Sequence, residues 1–196
     1  SAQSGLIGDN GTDTAAGRPT YSVDSDFYEL DQTQDTLTVD LVLEQSQLVT
    51  ITKRFTFRRA DYLIDVEYII NNQASTDWRG ALFTQIKRDS AVPVLSDESG
   101  MGMQPYVGGA TFQQEGPYTK LEFDDIEEES YKHKVNGGYM AMVQHYFVSA
   151  WVPGDLNAYT YQARKLTNQD SYLFGFTGPL TSILSGQEGS MTAKFY

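Results

Sequence analysis

Residues 37–72 read LTVDLVLEQSQLVTITKRFTFRRADYLIDVEYIINN. Leu37, Val39, Leu41 and Leu43 alternate with Thr38, Asp40 and Val42. After a polar turn at Glu44 to Gln47, Val49, Ile51, Phe55 and Phe57 alternate with Thr50, Thr52, Arg54 and Thr56. Successive side chains of a strand point to opposite faces, so this period of two predicts a hairpin with one apolar face. A third run places Tyr62, Ile64, Val66, Tyr68 and Ile70 on one face and Asp61, Leu63, Asp65, Glu67 and Ile69 on the other. Asn71 to Ser75 ends it with turn chemistry.

Outward from this segment the same grammar continues. A less regular strand is expected at Arg79 to Arg88, a loop at Pro93 and Ser96 to Gly102, and a bend or bulge at Gly108 and Gly109. GGYMAMVQHYFVSAW, from Gly137 to Trp151, is too long and too apolar for an edge strand and reads as one long or two consecutive buried strands. Further strands are expected at Tyr159 to Arg164, Tyr172 to Thr177, Leu180 to Leu184 and Met191 to Tyr196. Helical spacing is weak throughout. About ten short strands separated by turn residues predict an all-β antiparallel sandwich or barrel with at most one or two short helices. Residues 1–196 read as a single domain, with 1–20, rich in Gly, Thr and Asp, as an irregular arm.

The chain has 196 residues, 14 basic against 26 acidic side chains, a net charge of -12 and no cysteine; its pI is near 4.4. The charge argues against partners such as nucleic acid or an anionic lipid surface. Without cysteine there is no disulfide, thiolate zinc site, iron–sulfur cluster or cysteine nucleophile. A sandwich of this length buries roughly 70% of its unfolded surface and needs neither disulfide nor metal to hold it. No apolar run approaches the roughly 18 residues needed to cross a bilayer. The chain does not start with methionine and stops inside an apparent strand at Lys194 to Tyr196, so it reads as a portion of a longer protein.

Candidate chemistry is sparse. LEFDDIEEES packs Glu122, Asp124, Asp125, Glu127, Glu128 and Glu129 into eight residues, but its spacing is not that of a calcium loop and no glycine lets the chain wrap an ion. A solvated acidic face is the better reading. Asp9, Asn10 and Asp13 receive the same answer. His133 and His145 are the only histidines; each is placed within a strand and read as a hydrogen-bonded structural residue. Seven of the 14 basic residues fall between Lys53 and Arg88, where Arg54, Arg58 and Arg88 would form either a positive patch or local ion pairs; the pairs are favoured. Among the aromatics of the second half, Tyr146, Tyr159 and Tyr161 are candidates to line a groove for a glycan or an extended peptide.

Several segments, in order, resemble the large periplasmic domain of the YidC membrane protein insertases of Gram-negative bacteria. AQSGLIG at Ala2 to Gly8 and GRPTYSV at Gly17 to Val23 are similar to its opening segment, and KRFTFRRADYLIDVEYIINN at Lys53 to Asn72 to its central strand pair. VGGATF at Val107 to Phe112, YTKLEFDDI at Tyr118 to Ile126, and GGYMAMVQHYFVSAWVP at Gly137 to Pro153 resemble three further blocks. The span from Ala91 to Gln104 does not match.

The resemblance implies a β-supersandwich of the galactose-mutarotase type, held on the periplasmic side of the inner membrane by transmembrane helices outside these residues. It also implies that the first strands of the domain and a helical segment after Tyr196 lie outside them. Fold does not carry activity, and the resemblance implies no enzyme, catalytic residue, cofactor or metal. It implies a part in insertion, folding and assembly of nascent membrane-protein clients, with the Sec translocon accessory complex SecD/SecF as partner. In the family that contact is placed on a region corresponding to Tyr106 through Val152. Within it Tyr106, Phe112, Tyr118, Glu122, Asp124, Asp125, Glu127, Tyr139 and Trp151 are the contact candidates. The alternative is a carbohydrate- or peptide-binding sandwich module.

Overall fold

A computed structural model describes residues 1–91, 106–113 and 118–196. The loop expected at Pro93 and Ser96 to Gly102 lies outside them. In chain order the described elements are β1 (Ala2–Ile7), β2 (Thr36–Ser46), β3 (Val49–Arg58), β4 (Ile64–Asn72), β5 (Trp78–Arg88), β6 (Val107–Phe112), β7 (Thr119–Leu121), α1 (Phe123–Glu128), β8 (Tyr131–Asn136), β9 (Tyr139–Gln144), β10 (Phe147–Pro153), β11 (Ala158–Lys165), β12 (Tyr172–Thr177), β13 (Thr181–Ile183) and β14 (Gln187–Phe195). They form an eight-stranded sheet, β2-β3-β4-β14-β10-β9-β6-β7, and a six-stranded sheet, β1-β5-β12-β11-β8 with β13 also on β5. All pairings are antiparallel. Among the described residues the fold is thus all-β, with one short helix.

The register follows from the opening segment. Ile51 faces Ile70 and Phe55 faces Val66 across β3 and β4, and Met191 and Ala193 of β14 continue the row beside Tyr68 and Val66. Ile51, Val66, Tyr68 and Ile70 are buried against Leu6, Phe174 and Phe176 of the six-stranded sheet in one core. The opposite face is polar: Arg54 pairs with Asp40 at 2.7 Å and Arg58 with Asp65. Arg88, on the other sheet, bonds Gln144. Arg54 and Arg58 therefore form local ion pairs, whereas Arg88 lies on the other sheet without a carboxylate partner among the described residues, and the three do not make one patch.

One position breaks the alternation. Lys53 sits between Ile51 and Phe55 on the inward face, its Nζ 5.1 Å from the Phe55 ring centre and 5.3 Å from that of Tyr68. Its polar contact is the Ser4 carbonyl at 3.5 Å. Burial lowers its pKa to about 8.

Several expectations are corrected. Residues 2–7 are not an irregular arm: β1 pairs with β5 from Ala2↔Ile86 to Ile7↔Ala81 and buries Leu6. The mixed SGLI sequence hides the strand because Gly5 must be bare. A Cβ there would lie 2.4 Å from the Asp13 carboxylate, which accepts from the Leu6 amide at 3.0 Å. Gly108 and Gly109 are not a bend but lie inside β6, where a Cβ on Gly109 would meet the Phe174 ring at 2.3 Å. The run from Gly137 is two strands. His145 lies in their turn at φ 51, outside either strand.

Asn72 is buried and closes two turns together. Its Nδ2 donates to the carbonyls of Thr76 (3.0 Å), Ile183 (3.1 Å) and Leu184 (3.3 Å), and its Oδ1 accepts from the Ala74 amide at 3.2 Å. Asn72→Ala leaves these groups without their partner, and a loss of ~2–3 kcal/mol is expected in urea unfolding. A change under ~0.5 kcal/mol would contradict this role.

Candidate functional site

From Tyr106 to Asn136 the chain passes from the edge of one sheet to the edge of the other. β6 brings it to β7, the last strand of the eight-stranded sheet; α1 crosses the gap; β8 is the last strand of the six-stranded sheet. Apolar residues on the inward side hold the crossing. Ile126 is buried, and Phe123 packs at 4.6 Å on Tyr172 and 6.1 Å on Phe174, centre to centre. The helix is short because Glu122 caps it without a side-chain bond and no basic residue closes its last turn.

The contact candidates divide by burial. Glu122, Asp124 and Asp125 are exposed on this corner, as are Phe112 and Tyr118. Phe112 stacks on half-buried Tyr139 with centres 5.9 Å apart. Glu127 is tied down: it accepts from Lys165 Nζ at 2.8 Å and from the Tyr172 hydroxyl, and these bonds, the lysine's first, hold its carboxyl below the usual range. Tyr106 is half-buried, donates to the Gly109 carbonyl, and is pushed up to about 12 by burial. Trp151 is a correction. It is 3% exposed, and its Nε1 donates across the sandwich to the Gln85 carbonyl at 3.2 Å, so no docked partner reaches it. Both faces of its strand are apolar, which hides this in the sequence.

The groove aromatics divide likewise. Tyr161 is in the core, donating to the Gly137 carbonyl at 2.7 Å, and Tyr159 is 4% exposed, its hydroxyl on Asp155 at 3.0 Å. Neither lines an open groove, although Tyr159 borders a small cavity of about 250 Å³. Tyr146 stands free at the β9–β10 turn. His133 is exposed on β8, its ring centre 4.5 Å from that of Tyr131. Among the described residues no cluster of three or more His, Asp and Glu is placed to hold a metal.

One feature escaped sequence reasoning. On the outward face of β6, β9 and β10, Ala110, Ala141 and Ala150 form the floor of a trough walled by Leu63, Tyr118, Tyr139, Val143, Val148 and Tyr196. The small residues occur singly in three strands, and only the pairings Ala110↔Ala141 and Ala150↔Ala141 align them. Tyr118 thus belongs to both the corner and the trough, and Phe112 stacks on the Tyr139 wall.

Comparisons with known proteins agree with this architecture. The chain is 49% identical over its full length to the membrane protein insertase YidC of Cellvibrio japonicus, and 44% identical to that of Alcanivorax borkumensis. It spans about a third of the length of these curated relatives, 35% and 34% respectively. Among solved structures, a galactose mutarotase related enzyme from Lactobacillus acidophilus has a TM-score of 0.52 at 8% identity, covering 91% of this chain and 73% of that one. A putative aldose 1-epimerase from Klebsiella pneumoniae has a TM-score of 0.53 at 8% identity, covering 82% and 50%. At such identity the likeness shows the fold alone. A family model described as the YidC periplasmic domain matches residues 1–196. The chain therefore belongs to the YidC periplasmic domain family, a non-catalytic family on the periplasmic side of the inner membrane.

Proposed function

We propose that this domain serves an inner-membrane insertase that assists insertion, folding and assembly of membrane-protein clients, and that it does so as a docking platform for SecD/SecF beside the Sec translocon. The observation that carries the reading is the corner between β7, α1 and β8. It presents exposed Phe112 and Tyr118 next to the carboxylates of Glu122, Asp124 and Asp125. Aromatic anchors rimmed by one sign of charge suit a protein partner with a complementary basic rim, the aromatics giving affinity and the charges register.

The test is a pull-down of the periplasmic parts of SecD and SecF on the immobilised 196-residue chain. Binding is expected to weaken roughly tenfold or more when Phe112→Ser is combined with Tyr118→Ser, and to become slower when Asp124→Lys is combined with Asp125→Lys. Undiminished capture by both variants, or no capture by the native chain, would remove the partner assignment.

A further inference from the structure

We propose that a different surface, the loop end of the sandwich away from the β9–β10 turn, binds an extended polypeptide segment whose apolar side chains are flanked by basic residues. Four turns lie towards this end, and each tips a leucine into solvent: Leu48 between β2 and β3, Leu156 between β10 and β11, Leu180 between β12 and β13, and Leu184 between β13 and β14. Their exposures are 54%, 67%, 63% and 59%. Single exposed leucines need no explanation; two on turns that flank one cavity do.

Hydrogen bonds tie the turns of Leu48 and Leu184 to the end of β4, and packing sets Leu180 on Gly8. The Leu48 carbonyl accepts from the Gln73 amide at 2.8 Å, and the neighbouring Asn72 side chain holds the Leu184 carbonyl. Leu180 reaches over Gly8, its Cδ1 3.6 Å from where a Cβ would stand. The turns bearing Leu156 and Leu180 flank the 250 Å³ cavity, whose lining sets the polar Asp155, Asn157 and Thr192 beside Leu82, Tyr159 and Met191. The cavity, lined from β5 and β11 of one sheet and β14 of the other, would take one side chain of the ligand, with Leu156 and Leu180 beside it to contact the neighbouring apolar residues.

Charge selects the ligand. Asp9, Glu44, Asp77, Asp155 and Glu188 lie in or beside these turns, five acidic groups against Arg79 and, acting on Glu188, Arg54. Such a field repels an anionic bilayer and an acidic peptide and attracts apolar residues bordered by Lys or Arg. The inference uses none of the corner residues assigned to SecD/SecF and stands or falls separately from that contact.

The test is fluorescence anisotropy with a labelled heptapeptide whose Leu-Phe-Leu centre is flanked by lysines. Saturable, salt-sensitive binding to the 196-residue chain is expected. Leu156→Ser with Leu180→Ser should weaken it roughly tenfold or more, while Tyr146→Ser with Phe147→Ser, at the other end, should leave it unchanged. Glu44→Lys with Glu188→Lys is a second variant on exposed positions, also expected to weaken binding, should the leucine pair lower the melting temperature. No binding to the native chain, native affinity in both weakened variants, equal binding of an aspartate-flanked peptide, or leucine-dependent binding of phosphatidylglycerol vesicles in its place would each overturn the proposal.

Discussion

Phe176→Ala is expected to lower the stability of the domain by ~3–5 kcal/mol, the cost of removing a large aromatic from a closed core. Phe176 is fully buried on β12, its ring 5.1 Å from that of Tyr159 and 5.4 Å from that of Tyr161. The neighbours cannot close the void. Tyr161 is pinned through its hydroxyl to Gly137, Tyr159 to Asp155, and Gly175 lies so close to β5 that a Cβ would stand 1.9 Å from the Thr84 carbonyl. Domains carry about 5–15 kcal/mol in total, so the melting temperature should fall by roughly 10 °C. Thermal and urea unfolding measure it. A loss below ~1 kcal/mol would mean that the two sheets do not meet at this ring.

Alkaline pH should destabilise the domain steeply above about pH 10. Tyr68, Tyr159 and Tyr161 are buried, and desolvation raises the pKa of each well above the ordinary value of 10.0. Above that value the unfolded chain releases these protons while the folded chain keeps them. The unfolded state binds fewer protons, and stability falls by about 1.4 kcal/mol per pH unit for each tyrosine, about 4 for the three.

Lys53 acts in the opposite sense at lower pH. Its folded pKa of about 8 lies below the unfolded 10.5, so between these values the unfolded state binds more protons and stability rises with pH. Discounting for its partial exposure, that gain is at most about 2 kcal/mol. A stability maximum near pH 10 is expected, and Lys53→Met should remove the rise while stabilising the domain at pH 7. Stability that is flat from pH 10 to 11.5 would contradict the buried tyrosines. A rise from pH 8 that persists in Lys53→Met would contradict the lysine assignment.

The alternation that places Ile64, Val66, Tyr68 and Ile70 on one face was legible because the opposite positions are mostly polar, so the period of two stands out. It became illegible where both faces are apolar. In β9 and β10 the inward row holds Met140, Met142 and Trp151 while the outward row holds Ala141, Val143, Val148 and Ala150. No pattern in the sequence assigns Trp151 to the core or the alanines to a trough. β1 and β6 were missed for a different reason: their glycines serve close approach, of the Asp13 carboxylate folding back on β1 and of Phe174 from across the sandwich. The acidic run was correctly read as a solvated face, but the bonds from Glu127 to Lys165 and Tyr172 depend on α1 crossing to the other sheet.

The proposed contact of SecD/SecF with the corner between β7, α1 and β8 can be probed in the whole protein. Its most direct test is a photoreactive side chain placed at Tyr118 in the full-length insertase, compared with one at Thr38 on the outward face of β2, at the far edge of the same sheet. The expected result is a light-dependent adduct with SecD or SecF from position 118 and none from position 38. Equal adducts from both positions, or none from 118 while the insertase is folded and SecD/SecF are present, would contradict the claim.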